Sequence, residues 1–326
     1  MVNNDTRLLF GRDEEGPLRI SPLFNDAFLW IFGRHESKPI TKSLVNAILQ
    51  RAGIPTIGEI SELRCDAASA GGVKLRTGRT DVLVATAERT LVDLEAQRRH
   101  TNVSNKALFY ASKLLCEHSY KGDSDDYDDI TQIITITLLE GHTLSSDDDV
   151  FVSVGQIRWK RGEEVIDGTD RMLFVVVELD KVKKRYTANV EEVLGDESLA
   201  WLYLLANGYR DDKEMDAIMS NFPTIQEFAE RYKLAMGDPE LKRAYDRYIE
   251  SRLEYNQMIH EAQREAESIG FSKGEEKGRE KGLKEGRKEG RKEGRKEGIN
   301  EVLGRLHQLG FSEEDIATVT DSLSDT

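Results

Sequence analysis

Long apolar runs are missing from this chain of 326 residues; the longest, Leu199–Ala206, falls far short of the ~20 residues a membrane-spanning helix needs. Cysteine is almost absent. Cys65 and Cys116 are too few for a disulfide framework and are expected to be buried thiols in a reducing compartment. The polar, acidic start MVNNDTRLLFGRDEEG lacks the apolar segment of a secretory leader. The expectation is a cytoplasmic protein with no membrane partner. Several chemistries lack their residues too. There is no Gly-x-x-x-x-Gly-Lys-Ser/Thr loop for a nucleotide, no His-Glu-x-x-His or Cys-x-x-Cys for zinc and no Gly-x-Ser-x-Gly elbow, and the 6 histidines show no catalytic spacing. The stretch GDSDDYDDI resembles a calcium loop at first sight. Counted from Asp123, however, it puts Tyr127 at a ligand position, Asp128 where glycine is required and Ile134 where the bidentate Glu belongs, so it reads as a solvated acidic loop.

Charge is plentiful: 33% of residues are Asp, Glu, Lys or Arg, against 38% hydrophobic, and the net charge is −14. A general polyanion-binding surface is excluded by that sign. Residues 273–298 hold 11 Lys and Arg against 7 Glu, a local balance of +4 that leaves −18 for the remainder. A nucleic-acid site in the folded part would have to be a local cationic patch.

The hydrophobic pattern predicts helices where Phe24, Phe28 and Ile31 recur before Gly33, over Thr41–Arg51, and over the stretch from Val103 to Gly122 with Ala107, Tyr110, Leu114 and Leu115 on one face. Strands are expected at Ile57–Arg64, Val73–Thr86, Arg89–Gln97, Ile130–Leu139, Val150–Trp159 and Met172–Leu179. This order indicates a mixed α/β sandwich, not a doubly wound nucleotide fold. Beyond Lys181 the pattern is helical, at Asp196–Asn207, Thr224–Leu234 and a long polar segment from Asp238 to Ser268. Glycine then recurs at 270, 274, 278, 282, 286, 290, 294 and 298. A period of four overshoots the helical turn, so the glycine stripe drifts by ~40° per repeat. Each glycine costs roughly 1 kcal/mol of helix propensity, and each Glu–Lys pair returns only ~0.2–0.5 kcal/mol. The tract is therefore expected to be either frayed or packed against a copy of itself. A short helix, a Gly-Phe-Ser turn and a second short helix end the chain.

The stretch GRTDVLVATAERTLVDLEAQRRH, residues 78–100, sets Asp81 and Glu95 in two neighbouring strand-like runs, followed by Arg98, Arg99 and His100. Two carboxylates on paired strands with cations beside them suit a divalent metal and a phosphate; the alternative is an ordinary solvated sheet face. Residues two apart in a strand share a face, so Glu95 and Gln97 point the same way while Leu94 and Ala96 face the core opposite. A carboxylate and a neutral amide on one face can bind a hydrated Mg²⁺ and orient an attacking water.

These residues resemble the Rpn group of recombination-promoting nucleases, the PD-(D/E)XK nuclease family transposases. The resemblance runs through NDAFLWIFG with Asp26, Phe28, Phe32 and Gly33, RTDVLV with Asp81, and Glu95-Ala96-Gln97. It continues through NKALFYASKLL and SYKGDSDDY with Lys106, Tyr110, Gly122 and Tyr127, then VVVELDKVKK, AWLYLLANG and the Gly-Arg-Lys-Glu-Gly tract. It covers roughly residues 20–210 and the tail, and its specificity lies in the order of the motifs. Two features depart from the pattern. Leu29 and Trp30 follow Phe28 where a lysine is usual, and Gln97 stands for the superfamily's catalytic lysine, as is normal in this group.

The resemblance implies a Mg²⁺-dependent DNA endonuclease on a restriction-endonuclease-like mixed-sheet core, with a C-terminal helical extension and the Gly-repeat tail. Asp81 and Glu95 would hold the metal, with Asp26 either a third ligand or a helix-terminal charge, and Gln97 would position the water. Lys106, ahead of Lys113, would supply the missing cation, and Tyr110 belongs to the core. Arg98, Arg99 and Lys106 would hold the DNA backbone. The expected organisation is a nuclease-like domain over 1–215, a helical extension over 216–268, the charged repeat over 269–300 and a short helical segment over 301–326. A homo-oligomer joined through the repeat is the expected assembly. The rival reading is a catalytically degenerate nuclease fold that acts as an oligomerising interaction protein.

Overall fold

The computed structural model describes residues 20–65, 81–97, 102–119, 131–141, 143–187, 190–310, 312 and 316–317. The acidic stretch at 122–130, Gly122 and Tyr127 lie outside the described residues. The chain divides into two compact units, Met1–Ile249 and Glu250–Thr326.

In the first unit, α1 (Asn25–Phe32) and α2 (Lys38–Arg51) precede the strands β1 (Ile60–Arg64), β2 (Val82–Thr86) and β3 (Thr90–Gln97). Then come α3 (Val103–Ser119), β4 (Gln132–Leu139), β5 (Val152–Arg161) and β6 (Glu164–Glu178). The helices α4 (Leu179–Tyr186), α5 (Val190–Leu194), α6 (Glu197–Asn207), α7 (Lys213–Asn221) and α8 (Pro223–Gly237) follow, and α9 (Pro239–Gln308) begins in this unit. The expected elements appear in the expected order, α4, α5 and α7 are helices that the pattern did not predict, and two shifted boundaries have a local cause. Helix α2 starts three residues early, because Pro39 sits in its first turn, where proline has no intrahelical bond to lose. Strand β6 starts at Glu164, eight residues before the apolar run that predicted it, because it forms a hairpin with β5.

The six strands lie in the order β1-β2-β3-β4-β6-β5. Neighbours β3, β4 and β6 are parallel, while β1–β2, β2–β3 and β5–β6 are antiparallel, which confirms a mixed sheet. One face carries Val92, Leu94, Ile134, Ile136, Val175 and Val177 into the main core, where α1, α2, α6 and α8 pack. The run Leu199–Ala206 lies in that core: every residue from Ser198 to Ala206 is buried, as an all-round apolar helix requires. Trp201, Phe32 and Phe228 meet at its centre, with Trp201 edge-on to Phe228 at 5.7 Å and Phe32 stacked on it at 5.8 Å. The opposite face is covered by α3, through Val103, Ala111 and Leu114 against Leu91, Ile133 and Leu139.

Gly33 does close α1, but its φ of −93° is open to any residue. Close approach is what demands glycine here, since a Cβ would lie 2.8 Å from Cys65 Cβ and 2.8 Å from Leu29 O. Cys65 and Cys116 are exposed free thiols, which corrects the expected burial. Cys65 sits just past the end of β1, and Cys116 is on the outer side of α3. No helix of the described residues is long and apolar enough to cross a membrane.

In the second unit α9 continues helical through the glycine repeat to Gln308. Ion pairs one turn apart, such as Lys281–Glu285 and Arg305–Glu301, support it, and a Cβ at any glycine from Gly270 to Gly298 would meet open space.

Candidate active site

Strands β2 and β3 pair with Val82 opposite Leu94 and Leu83 opposite Asp93, so one step further sets Asp81 opposite Glu95. The arrangement is pinned by the Asp81 carboxylate, whose Oδ2 accepts the Ala96 N–H at 3.0 Å. Alternation along β3 sends Val92 and Leu94 into the main core and turns Leu91, Asp93, Glu95 and Gln97 toward α3. Across β4, Thr135 and Thr137 stand beside Asp93 and Glu95 in register. The result is a lane of polar groups in a sheet face that is otherwise apolar, and all five of these side chains are buried.

Helix α3 roofs that lane. Lys106 Nζ pairs with Glu95 Oε2 and lies 5.5 Å from the centre of the Tyr110 ring, one turn further along. Tyr110 is half-buried, with its ring against Lys106 and within the field of the carboxylates, so it is a neighbour of the site and not the core residue expected. Lys113, another turn on, pairs with Glu117 at 3.8 Å, and its charge acts on Asp93.

The electrostatics follow from crowding three carboxylates under one close cation. Burial pushes Asp81 above the ordinary carboxylate range, partly offset by the Ala96 hydrogen bond and the Lys106 charge. Burial raises Glu95 to about 7 even though Lys106 pulls the other way, and Asp81 adds to the rise. Asp93 is pushed well above its usual range, first by burial and then by Glu95 and Asp81. Burial opposes the charge of Lys106, yet Glu95 outweighs it and the pKa of Lys106 is raised. The two partners of the ion pair thus move in the same direction for opposite reasons, burial winning at Glu95 and attraction at Lys106.

Asp93 Oδ1, Glu95 Oε1 and Thr135 Oγ1 are buried without a hydrogen-bond partner. Unsatisfied carboxylate oxygens are costly, and a hard cation or ordered water relieves them. Among the described residues no three His, Cys, Asp or Glu side chains form a ready cage for a metal ion. Mg²⁺ does not need one, because it keeps several waters and is held by one or two carboxylates plus substrate phosphate. Asp81 and Glu95 fit that donor set.

Of the residues predicted from sequence, the structure brings together Asp81, Glu95, Gln97 and Lys106. Arg98 and Arg99 lie outside the described residues. Asp26 is exposed in the first turn of α1. Asp93 was missed, although the alternation Asp93-Leu94-Glu95-Ala96-Gln97 puts it on the same face as the two residues that were found. A separate cleft of about 540 Å³ between α2 and the first turns of α6 and α8 holds Lys38 and Lys42. Both cations are already engaged there, with Ser61 O and Glu59.

No curated protein and no solved structure matches the chain. A family model described as PD-(D/E)XK nuclease family transposase matches residues 23–262, which takes in α1, the whole sheet, Asp81, Glu95, Gln97 and Lys106. With most of its length matched and its paired carboxylates on adjacent strands of a mixed sheet, the chain belongs to the PD-(D/E)XK nuclease family transposases.

Proposed function

We propose that the protein is a Mg²⁺-dependent DNA endonuclease of the recombination-promoting type, with Asp81 and Glu95 as metal ligands. The observation that carries this reading is the placement of Asp81 opposite Glu95, with one buried oxygen of Glu95 left unsatisfied and Lys106 on the other. A bound divalent ion supplies Lewis-acid polarisation of the phosphate and lowers the pKa of a coordinated water. Gln97 is two residues from Glu95 on the same face, where its neutral amide can orient the attacking water without competing for the metal. Lys106 supplies, from α3, the positive charge that the strand lacks at Gln97. It neutralises Glu95 before substrate arrives and is within reach of charge developing on the phosphate afterwards. Arg98 and Arg99, directly after β3, are assigned to the DNA backbone, a contact that does not read sequence.

A plasmid-nicking assay tests the proposal. Cleavage should require Mg²⁺, stop in EDTA and be lost in both Asp81→Asn and Glu95→Gln, each a near-isosteric change that removes charge but little packing. Wild-type rates in either folded variant would refute the metal assignment. The second reading, a degenerate nuclease fold that works by interaction, is favoured by one observation: Glu95 is already satisfied in charge by Lys106 within a strongly acidic chain. Absence of cleavage by wild-type protein with any divalent ion, together with self-association, would select it.

A further inference from the structure

Two arginines meet on one indole near the end of the sheet that carries Asp81. Helix α1 closes on Gly33, which packs against Cys65 just past β1. Strand β1 runs antiparallel to β2, and its last residue, Arg64, lies opposite Leu83, two residues from Asp81. Arg34, the residue after Gly33, therefore leaves α1 at the end of the sheet where the carboxylates stand. Two strand spacings, roughly 10 Å, separate β1 from β3 there.

Trp30 is half-buried in the last turn of α1. Its ring is held in place, because Nε1–H donates at 2.9 Å to Oδ2 of Asp238, the residue that closes α8. Arg34 Cζ lies 4.2 Å from the ring centre, and Arg231 Cζ, from α8, lies 5.3 Å from it. The ring attracts each guanidinium, but the two cations oppose one another. Burial lowers the pKa of Arg231, and the charge of Arg34 lowers it further against the pull of Glu36.

No carboxylate closes this cluster. Among the described residues neither Arg34 nor Arg231 is in an ion pair, and Arg231 Nε is buried without a hydrogen-bond partner. Glu36 feels both charges, yet its carboxylate bonds first to its own backbone N–H. Other arginines of this unit are matched: Arg51 with Asp196, Arg185 with Asp149 and Arg210 with Glu214. Two like charges held on a fixed ring with N–H donors to spare suit an anion that reaches both. Guanidinium groups recognise phosphate oxygens by paired N–H···O bonds in this way.

We propose that Arg34 and Arg231, oriented by Trp30, bind the phosphate backbone of the DNA strand that leads into the Asp81–Glu95 site. The choice of DNA as ligand rests on the nuclease reading. The pair is a local cationic patch of the kind that a chain of net charge −14 needs to hold a polyanion. Contacts to phosphate position a strand over the carboxylates without reading its sequence.

The test is binding of a labelled DNA duplex to the full-length protein by fluorescence anisotropy, in EDTA so that no cleavage contributes, over a range of salt. Arg34→Gln and Arg231→Gln should each lower the log–log salt slope by about one, and together should raise Kd on the order of 10-fold or more at ~0.1 M salt. Lys160→Gln/Arg161→Gln, at the exposed turn of the β5–β6 hairpin, removes the same charge elsewhere and should leave the slope unchanged. Arg34 is exposed, so Arg34→Gln alone decides the matter if the double variant does not fold by circular dichroism. The proposal is overturned if folded Arg34→Gln keeps the wild-type slope, if the hairpin variant loses as much as the arginine pair, or if wild type does not bind DNA. A wild type that binds DNA through these arginines but never cleaves it with Mg²⁺ would leave the phosphate site standing and refute the endonuclease reading alone.

Discussion

At the scale of single residues, the fold accepts three carboxylates whose protonation it favours. Asp81, Asp93 and Glu95 all have pKa values raised by burial above those of the unfolded chain. Each therefore binds its proton more tightly when folded, so the stability it contributes is present below its unfolded pKa and lost as pH rises through the folded one. For Glu95 that window runs from its ordinary 4.5 to about 7. In EDTA, the melting temperature of the wild type should fall between about pH 5 and pH 8, and Mg²⁺ should restore much of the loss at the higher pH. Asp93→Asn removes one of the three charges, so its melting temperature should fall less over the same range and exceed that of wild type at the alkaline end. Parallel profiles for the two proteins in differential scanning calorimetry would show that Asp93 does not titrate with folding.

The element that holds the end of the sheet is the turn from β6 into α4. Glu178 and Lys181 are both buried, with Lys181 Nζ 3.1 Å from Glu178 Oε2. Their remaining bonds hold the segment leading into β5: Glu178 Oε1 accepts the Leu144 N–H at 2.7 Å, and Lys181 Nζ donates to Val150 O at 3.0 Å and Ser145 Oγ at 3.2 Å. The pair is complete, so breaking one side should cost more than removing both. Lys181→Met should destabilise by about 3–5 kcal/mol in urea unfolding, since it leaves a charge buried alone. The double variant Lys181→Met with Glu178→Leu should recover a good part of that loss. If the double variant were as unstable as the sum of the singles, the pair would not be an interacting unit.

For the whole molecule, the expected outcome is that chemistry and tail are separable. The family match ends at residue 262, before the first repeat glycine, and a Cβ at any glycine of α9 from Gly270 to Gly304 would meet no neighbouring element within 4 Å among the described residues. Truncation after Ser268 is therefore expected to retain nicking activity per protomer while far-UV circular dichroism loses the helical signal of the removed residues. A truncated protein that kept its other structure but lost all cleavage would show that the tail belongs to the catalytic unit.

By itself the sequence determined the six strands, the helices α1, α2, α3, α6 and α8, and the central pair, but not α4, α5 and α7. Strand alternation placed Glu95 and Gln97 on one face, and helical spacing placed α1 and α6, because both patterns are local and depend only on backbone period. The negative charge and the four-residue glycine period were likewise plain in the composition. Only the tertiary structure decided what meets what. Lys106 reaches Glu95 because α3 crosses back over β3 and β4, and Asp93 becomes a buried member of the site because that same helix roofs it. Gly33 is required by the approach of Cys65, thirty-two residues away in sequence. The ribbon of β5 and β6 exists because β4 is too short to pair with all of β6. Contacts between elements distant in sequence are set by packing, and no local period encodes them.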